Sequence, residues 1–305
     1  MMSRRRIPGK LWMLTLCLLL TLSACGPHPK DDVQIVVASS DTLEQQVVGK
    51  MTVLALQEAG YDVVDRSGMG SPWMVRAALE AGNVDVCWDY TGDAWTVHLG
   101  HDYPISDAGE LFAKVRDEDI LNEITWLSPC DWQHRMSLVV QRSFAEEHGL
   151  ATLGDLAHHV NDVDPDVTLC APRELYDTAH GVRGMERVYG FRFKEQKVRF
   201  FPMREGYEAL TKGECDCALG LSVDATLMRE DLYLLEDDRK FFQASNLAPV
   251  ARTSVLRKAP GVEPVLVDLS AALTEDMMRE IHQRAVIEEQ DPAAVARRML
   301  REYGM

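Results

Sequence analysis

The chain has 305 residues, a hydrophobic fraction of 46%, a charged fraction of 26% and a formal net charge of −16. These are the proportions of a globular protein with room for one large or two medium domains. So acidic a chain is a poor partner for nucleic acid, and its charge favours a cationic ligand only weakly, since a solvated acidic surface needs no further role.

From the amino terminus, Arg4, Arg5 and Arg6 precede an apolar stretch, Leu11 to Leu22, that is too short to span a bilayer comfortably. This is the pattern of a secretory signal. The stretch ends in Leu22-Ser23-Ala24-Cys25, which resembles the lipobox of bacterial lipoproteins. The resemblance implies cleavage before Cys25, a lipid on its thiol, and a place at the cell membrane on the extracytoplasmic side. Residues 1–24 are then a lipoprotein signal peptide and 25–32 a polar, proline-containing tether. No later apolar run is long enough to span a membrane.

Val33 to Ala38 is the first expected strand, and a helix through Val47, Met51 and Leu54 follows it, stopping at Gly60. Tyr61 to Val64 is a second strand. Pro72 opens a second helix ending at Gly82, and Val84 to Trp88 is a third strand. This alternation predicts a parallel sheet with covering helices. Residues 155–166 are polar and acidic and read as a surface connection. The order then returns, with strands at 166–170, 198–201 and 215–219 and helices around 184–189 and 207–210. The tail is helical over 264–273, 275–289 and 292–303, with apolar stripes that pack on a core.

Two stretches repeat without gaps. Ala78, Leu79, Gly82, Asp85, Asp93 and Ala94 match Ala209, Leu210, Gly213, Asp216, Asp224 and Ala225. The unit is too coarse for a solenoid and suits two similar α/β lobes. The first copy places Tyr90, Thr91 and Asp93 in a glycine-containing turn after a strand. An aromatic face beside a carboxylate is what a cationic organic ligand needs. Asp93 also has a plain alternative, capping the helix that follows. Asp224, its counterpart, reads as structural, and Trp73, Trp88 and Trp95 as core or rim.

Of the seven cysteines, Cys17 goes with the signal and Cys25 with the lipid. Cys87, Cys130, Cys170, Cys215 and Cys217 remain, an odd number that leaves at least one thiol free or paired between chains. Export permits disulfides. Cys215 and Cys217 stand at strand spacing, facing one side, a poor geometry for bonding to each other; Cys170 is a conceivable partner for either. No C-x-x-C or histidine spacing supports a metal site, and no cofactor is expected. His98, His101, His134, His158, His159 and His180 stand near no G-x-S-x-G or comparable nucleophile setting, so an enzyme is not expected.

A series of short motifs, taken together, resembles the solute-binding proteins of ABC importers for glycine betaine, carnitine, choline and proline. It runs from Ala38-Ser39-Ser40 and Glu44-Gln45 through Ala59-Gly60-Tyr61 and 82–92. It continues through 208–225, Leu235-Glu236-Asp237-Asp238, Phe241-Phe242, Asn246 with Ala248-Pro249-Val250, and Asp291-Pro292. The resemblance implies the two-lobed class II periplasmic-binding fold, two parallel or mixed sheets flanked by helices and joined by a hinge. Residues 33–133 plus 224–305 would form the first lobe and 134–223 the second. A ligand trapped between them would be passed to a membrane permease, with the protein itself a monomer.

Departures from the family bear on the ligand. Where members commonly carry a lysine, an arginine and a threonine that hold a betaine carboxylate, this chain has Ser40, Thr178 and Asp93. Two cations are lost and an anion gained, so Asp93 would repel a ligand carboxylate and attract an ammonium. The family's aromatic box retains Tyr90 and Tyr207, while two of its tyrosines correspond to Met136 and Leu221. Met packs against methylated nitrogen, and Trp132 supplies a replacement face. The ligand expected is thus a choline-like cation rather than glycine betaine. A ligand-sensing lipoprotein of the same fold with no transport role is the alternative.

Overall fold

The computed structural model describes residues 33–304. The signal sequence, the tether and Cys25 lie outside the described residues. Among the described residues the ten strands are β1 (Gln34–Ala38), β2 (Asp62–Arg66), β3 (Val86–Tyr90), β4 (Ile124–Trp126), β5 (Met136–Gln141), β6 (Leu169–Ala171), β7 (Val198–Phe200), β8 (Cys217–Leu221), β9 (Leu232–Leu234) and β10 (Leu247–Arg252). They form two five-stranded sheets, ordered β2-β1-β3-β10-β4 and β7-β6-β8-β5-β9. In each, three parallel strands join an antiparallel one that has crossed from the other half of the chain, β10 in the first sheet and β5 in the second. The fold is therefore two-lobed, with mixed sheets flanked by helices.

The repeat seen in sequence is a repeat of hydrogen bonds. Helix α2 (Pro72–Glu80) opens with Pro72 after Ser71, whose hydroxyl accepts from the Met74 N–H. It ends where Gly82 turns left-handed, at φ +76°, and donates to Leu79 O at 3.1 Å, while Asn83 N–H reaches Ala78 O. The helix Met203–Thr211 ends the same way at Gly213, φ +70°, on Leu210 O and Ala209 O. A side chain is rarely tolerated at such angles. The matched aspartates come next. The Asp85 carboxylate accepts from Val36 N–H at 2.9 Å, and that of Asp216 from Thr168 N–H at 2.7 Å. Each clamps the amino end of its lobe's third strand to the first strand. Because Asp85 and Asp216 serve as clamps, β3 and β8 begin later than the sequence suggests.

Several expectations change. Residues 153–162 are a helix, not a loop. Thr152 and Asp155 form a reciprocal capping box, and Leu153, Leu156, Ala157 and Val160 bury one face. Strand β9 pairs with β5 in the second sheet, so the chain does not pass to the first lobe for good at 224. Val223 does pack in the first lobe's core, but the final return comes between β9 and β10. The helices at 275–303 largely follow expectation, except that His282–Ile287 winds as a π-helix.

Cys170 is bonded to Cys215, with Cα atoms 6.0 Å apart. Cys215 precedes β8, so strand alternation does not govern it, and Cys217 turns to the other core. Cys87, Cys130 and Cys217 are free and buried, and burial pushes their thiols up, Cys130 to about 11. Replacing Cys170 and Cys215 together by alanine is expected to cost the second lobe about 2–4 kcal/mol. A lower denaturant midpoint, followed by circular dichroism, would register it, with the fold retained at zero denaturant.

Candidate functional site

Strands β1 and β3 are neighbours, and the carboxyl ends of such parallel strands are where open α/β sheets hold ligands. Tyr90 is the last residue of β3. The expected turn after it is the start of a helix. Thr91–Asp93 form one α-helical turn, and Ala94–His98 continue it as a π-helix. Gly92 permits this approach, since a Cβ there would meet Ser245 Oγ at 2.8 Å and Ala244 O at 3.1 Å.

The Tyr90 ring stacks on the His134 imidazole, centroids 4.9 Å apart and planes 27° apart. His134 belongs to the segment leading from the first lobe into the second, where its N–H donates to Ser245 O at 2.7 Å. Asn246 pins this crossing, its amide donating to Cys130 O and Trp132 O at 3.1 and 2.7 Å. Burial, and then His282, push the His134 imidazole down to about 4, so it is a neutral ring at physiological pH. Burial, then Glu44 and Asp93, push the Tyr90 phenol well up.

Asp93 does not cap the helix that follows. Its carboxylate has no hydrogen-bond or ion-pair partner among the described residues. It is solvent-accessible, yet protein surrounds it closely enough that desolvation, then Asp89, raise its pKa to about 6 against the opposing pull of His98.

A second carboxylate comes from the first turn of helix α1 (Leu43–Glu58). Glu44 is a quarter exposed and lies 3.5 Å from His282 Nε2. Desolvation raises its pKa, His282 opposes this, and Asp224 adds to it. His282 Nδ1 accepts from Ala225 N–H at 3.2 Å and lies 3.7 Å from Asp224 Oδ1. In the neutral imidazole that bond leaves the proton on Nε2, facing Glu44.

The remaining expected site residues are placed as follows. Tyr207 is fully buried in the second lobe's core, its hydroxyl accepting from Leu221 N–H at 3.1 Å with Asp224 beside it. Gly220 makes room for that ring, since a Cβ there would lie 2.8 Å from the Tyr207 hydroxyl. Trp132 is also buried, its indole donating to Leu273 O at 2.8 Å. The structure thus gives Tyr207 and Trp132 core positions, not a cleft face. Met136 and Leu221 are paired across β5 and β8 and half-buried. Ser40 is buried, its hydroxyl 3.3 Å from that of Thr42. Thr178 is exposed and lines a surface groove with Arg183 and Arg187, apart from Tyr90.

Sequence reasoning missed His134, Glu44 and His282 as parts of one site. Glu44 was visible only as an alignment marker. The other two are brought in by a lobe crossing and by a π-helical winding, neither of which leaves a residue pattern; such windings recur at functional sites. A groove of about 760 Å³ is lined by residues of both lobes, Gln133, Arg135, Met136 and Arg279 among others. Tyr90, Glu44 and Asp93 are not in its lining, and its arginines are already engaged, Arg135 with Glu275 and Arg279 with Asp276. The ring-walled acidic site is the better candidate for a ligand.

Two α/β lobes, each a five-stranded mixed sheet flanked by helices, have the architecture of a periplasmic-type solute-binding protein. Residues 33–302 match the family described as the substrate binding domain of ABC-type glycine betaine transport systems, and the chain belongs to that family. It is 29% identical to a glycine-betaine-binding protein of Pseudomonas aeruginosa over 85% of each chain. It is 26% identical to the carnitine transport binding protein OpuCC of Listeria monocytogenes, over 92% of this chain and 91% of that one. A solved glycine betaine/carnitine/choline ABC transporter protein shares the fold, with a TM-score of 0.80, 24% identity, and 88% and 98% of the two chains covered. The protein is accordingly the substrate-binding component of an osmoprotectant ABC importer, not an enzyme, and it works with a permease outside the cytoplasm. Among the described residues no helix is long and apolar enough to cross a membrane.

Proposed function

We propose that the cleft captures a small quaternary-ammonium cation, choline-like in preference to glycine betaine, and that a lipid on Cys25 holds the monomeric protein beside its permease. The observation that carries the ligand choice is Asp93, an unpaired carboxylate beside the Tyr90–His134 stack. Ring faces and a carboxylate attract a methylated ammonium together. Among the described residues neither Glu44 nor Asp224 is ion-paired to a lysine or arginine; the ion-pair partner of both is His282. A ligand carboxylate would meet like charge there.

Calorimetric titration with choline, glycine betaine, carnitine and proline tests the reading. Choline is expected to bind at least about tenfold more tightly than glycine betaine, a difference of one good charge-assisted contact. Tight betaine binding with no choline binding would overturn the preference.

One observation favours a second reading, a carboxylate-bearing betaine. Thr42 makes no side-chain cap, so the first N–H groups of α1 are free to hold an anion. The same titration separates the two. A sensing role is named in a relative, the chemotactic signal transduction system substrate-binding protein CosB of Halobacterium salinarum, 25% identical over 68% of this chain and 66% of its own. Uptake of the bound solute, measured in cells with and without this protein, distinguishes transport from sensing.

A further inference from the structure

Two carboxylates neighbour Tyr90, and they differ in how they are held. Asp93 stands alone after β3 and has no hydrogen-bonded partner among the described residues. Glu44 stands at the head of α1, after the neighbouring strand β1, and is backed by a histidine whose orientation is fixed. Both carboxylates act on the Tyr90 phenol. Their other electrostatic neighbours are separate, His282 and Asp224 for Glu44, Asp89 and His98 for Asp93. Tyr90 packs in one cluster with Leu43 and Val47 of the helix that carries Glu44, and Asp93 follows it by three residues, so both carboxylates are its neighbours.

The His282 side is the more ordered of the two. Ala225 N–H fixes Nδ1 as the acceptor, and Nε2 lies 3.5 Å from the Glu44 carboxylate. Asp224, behind it, is itself held by Thr226 N–H at 2.9 Å. A carboxylate steadied at one oxygen keeps lone pairs for a further donor. Among the described residues no group of three or more metal-ligating side chains is placed to hold a metal, so this arrangement is not a metal centre. It links the first lobe, through Glu44 and His282, to the segment that follows β8 of the second.

From this arrangement we infer that Glu44, positioned by His282, is the specificity-determining group for the uncharged end of the solute, accepting a hydroxyl hydrogen bond while Tyr90 and Asp93 meet the ammonium. The inference rests on the cation-binding reading of the cleft. It narrows the ligand class to cations that carry a hydrogen-bond donor two or three atoms from the charged nitrogen, and it gives His282 a positioning role.

The test compares choline with tetramethylammonium, which has the charge and lacks the hydroxyl, by calorimetry on the intact protein. E44Q should weaken choline about tenfold, the usual loss for one hydrogen bond to a charged group, and leave tetramethylammonium within about twofold. E44D keeps the charge but draws the acceptor back, and should lose choline in the same selective way. H282Q should do so to a smaller degree. D93N should weaken both ligands alike. Thermal unfolding of each variant confirms that it is folded before the comparison is made. If E44Q weakens both cations equally, Glu44 supplies only field and the assignment is overturned. It is equally overturned if E44D binds choline like wild type. A wild-type protein that binds neither cation would instead sink the cation reading itself, which is a separate outcome.

Discussion

Asp93→Asn should lower choline affinity roughly 10–100-fold, the loss expected when an ionised partner of a bound cation becomes neutral. The effect should depend on pH with a definite sign. The Asp93 carboxyl titrates at about 6 in the folded protein, against an ordinary 3.8, because burial and Asp89 disfavour its charge. As pH falls through about 6 it takes up a proton, so wild-type affinity for a cation falls with it. The amide of the variant has no proton to gain, so its profile should be flatter. Stability runs the other way. The native state holds this proton more tightly than the unfolded chain, so Asp93 favours folding most below its unfolded pKa, and this contribution is lost as pH rises through about 6. The variant should therefore unfold at a higher temperature than ligand-free wild type at neutral pH. Lower affinity with higher stability is the mark of a charge kept for binding at a cost to the fold. Equal affinity at neutral pH would remove Asp93 from the site.

The largest loss of stability is expected from Asp119→Ala, outside the candidate site. Asp119 is fully buried and accepts from Arg76 Nη1 at 2.6 Å, Trp126 Nε1 at 2.7 Å and Asn122 Nδ2 at 2.9 Å. Burial alone would raise its pKa, but Arg76, Asn122 and Trp126 together hold it below the ordinary value. Alanine leaves the buried Arg76 guanidinium without this partner, and breaking a buried pair from one side costs about 3–5 kcal/mol. Denaturant titration monitored by tryptophan fluorescence would measure this. The stabilisation from Asp119 is present above its unfolded pKa and is lost as pH falls through the lower folded value, so acid should narrow the gap between variant and wild type.

How much of this was legible in the sequence depended on whether a signal was local. The β1–α1–β2–α2–β3 run could be read because each element carries its own pattern and ends at a glycine such as Gly60 or Gly82. The helix at 153–162 carried a cap signal, Thr152 and Asp155, that its polar surface obscured. Strand β9, with three residues, owes its place to β5 and has no pattern of its own. At the site, Tyr90 and Asp93 stood out because ring and carboxylate are close in the chain. His134 and His282 did not, because the contacts that bring them to Tyr90 and Glu44 span 44 and 238 residues of chain. The burial of Tyr207 was hidden for a related reason. Its residue type fits a box, and only the glycine opposite it, Gly220, shows that the ring is tucked beneath β8.

The paired clamps at Asp85 and Asp216 bear on how such a protein changes its cargo. Each sits at the amino end of its strand, and Tyr90 lies at the opposite end of β3, roughly 16 Å away at strand spacing. What fastens a lobe together is thus separated along the strand from what is proposed to touch the solute. Residues at the rim can be exchanged, a hydroxyl for a carboxylate or a tyrosine for a histidine, without loosening either lobe. Retargeting this scaffold to another cation, whether by selection or by design, is therefore a problem of one edge and leaves the foundations alone.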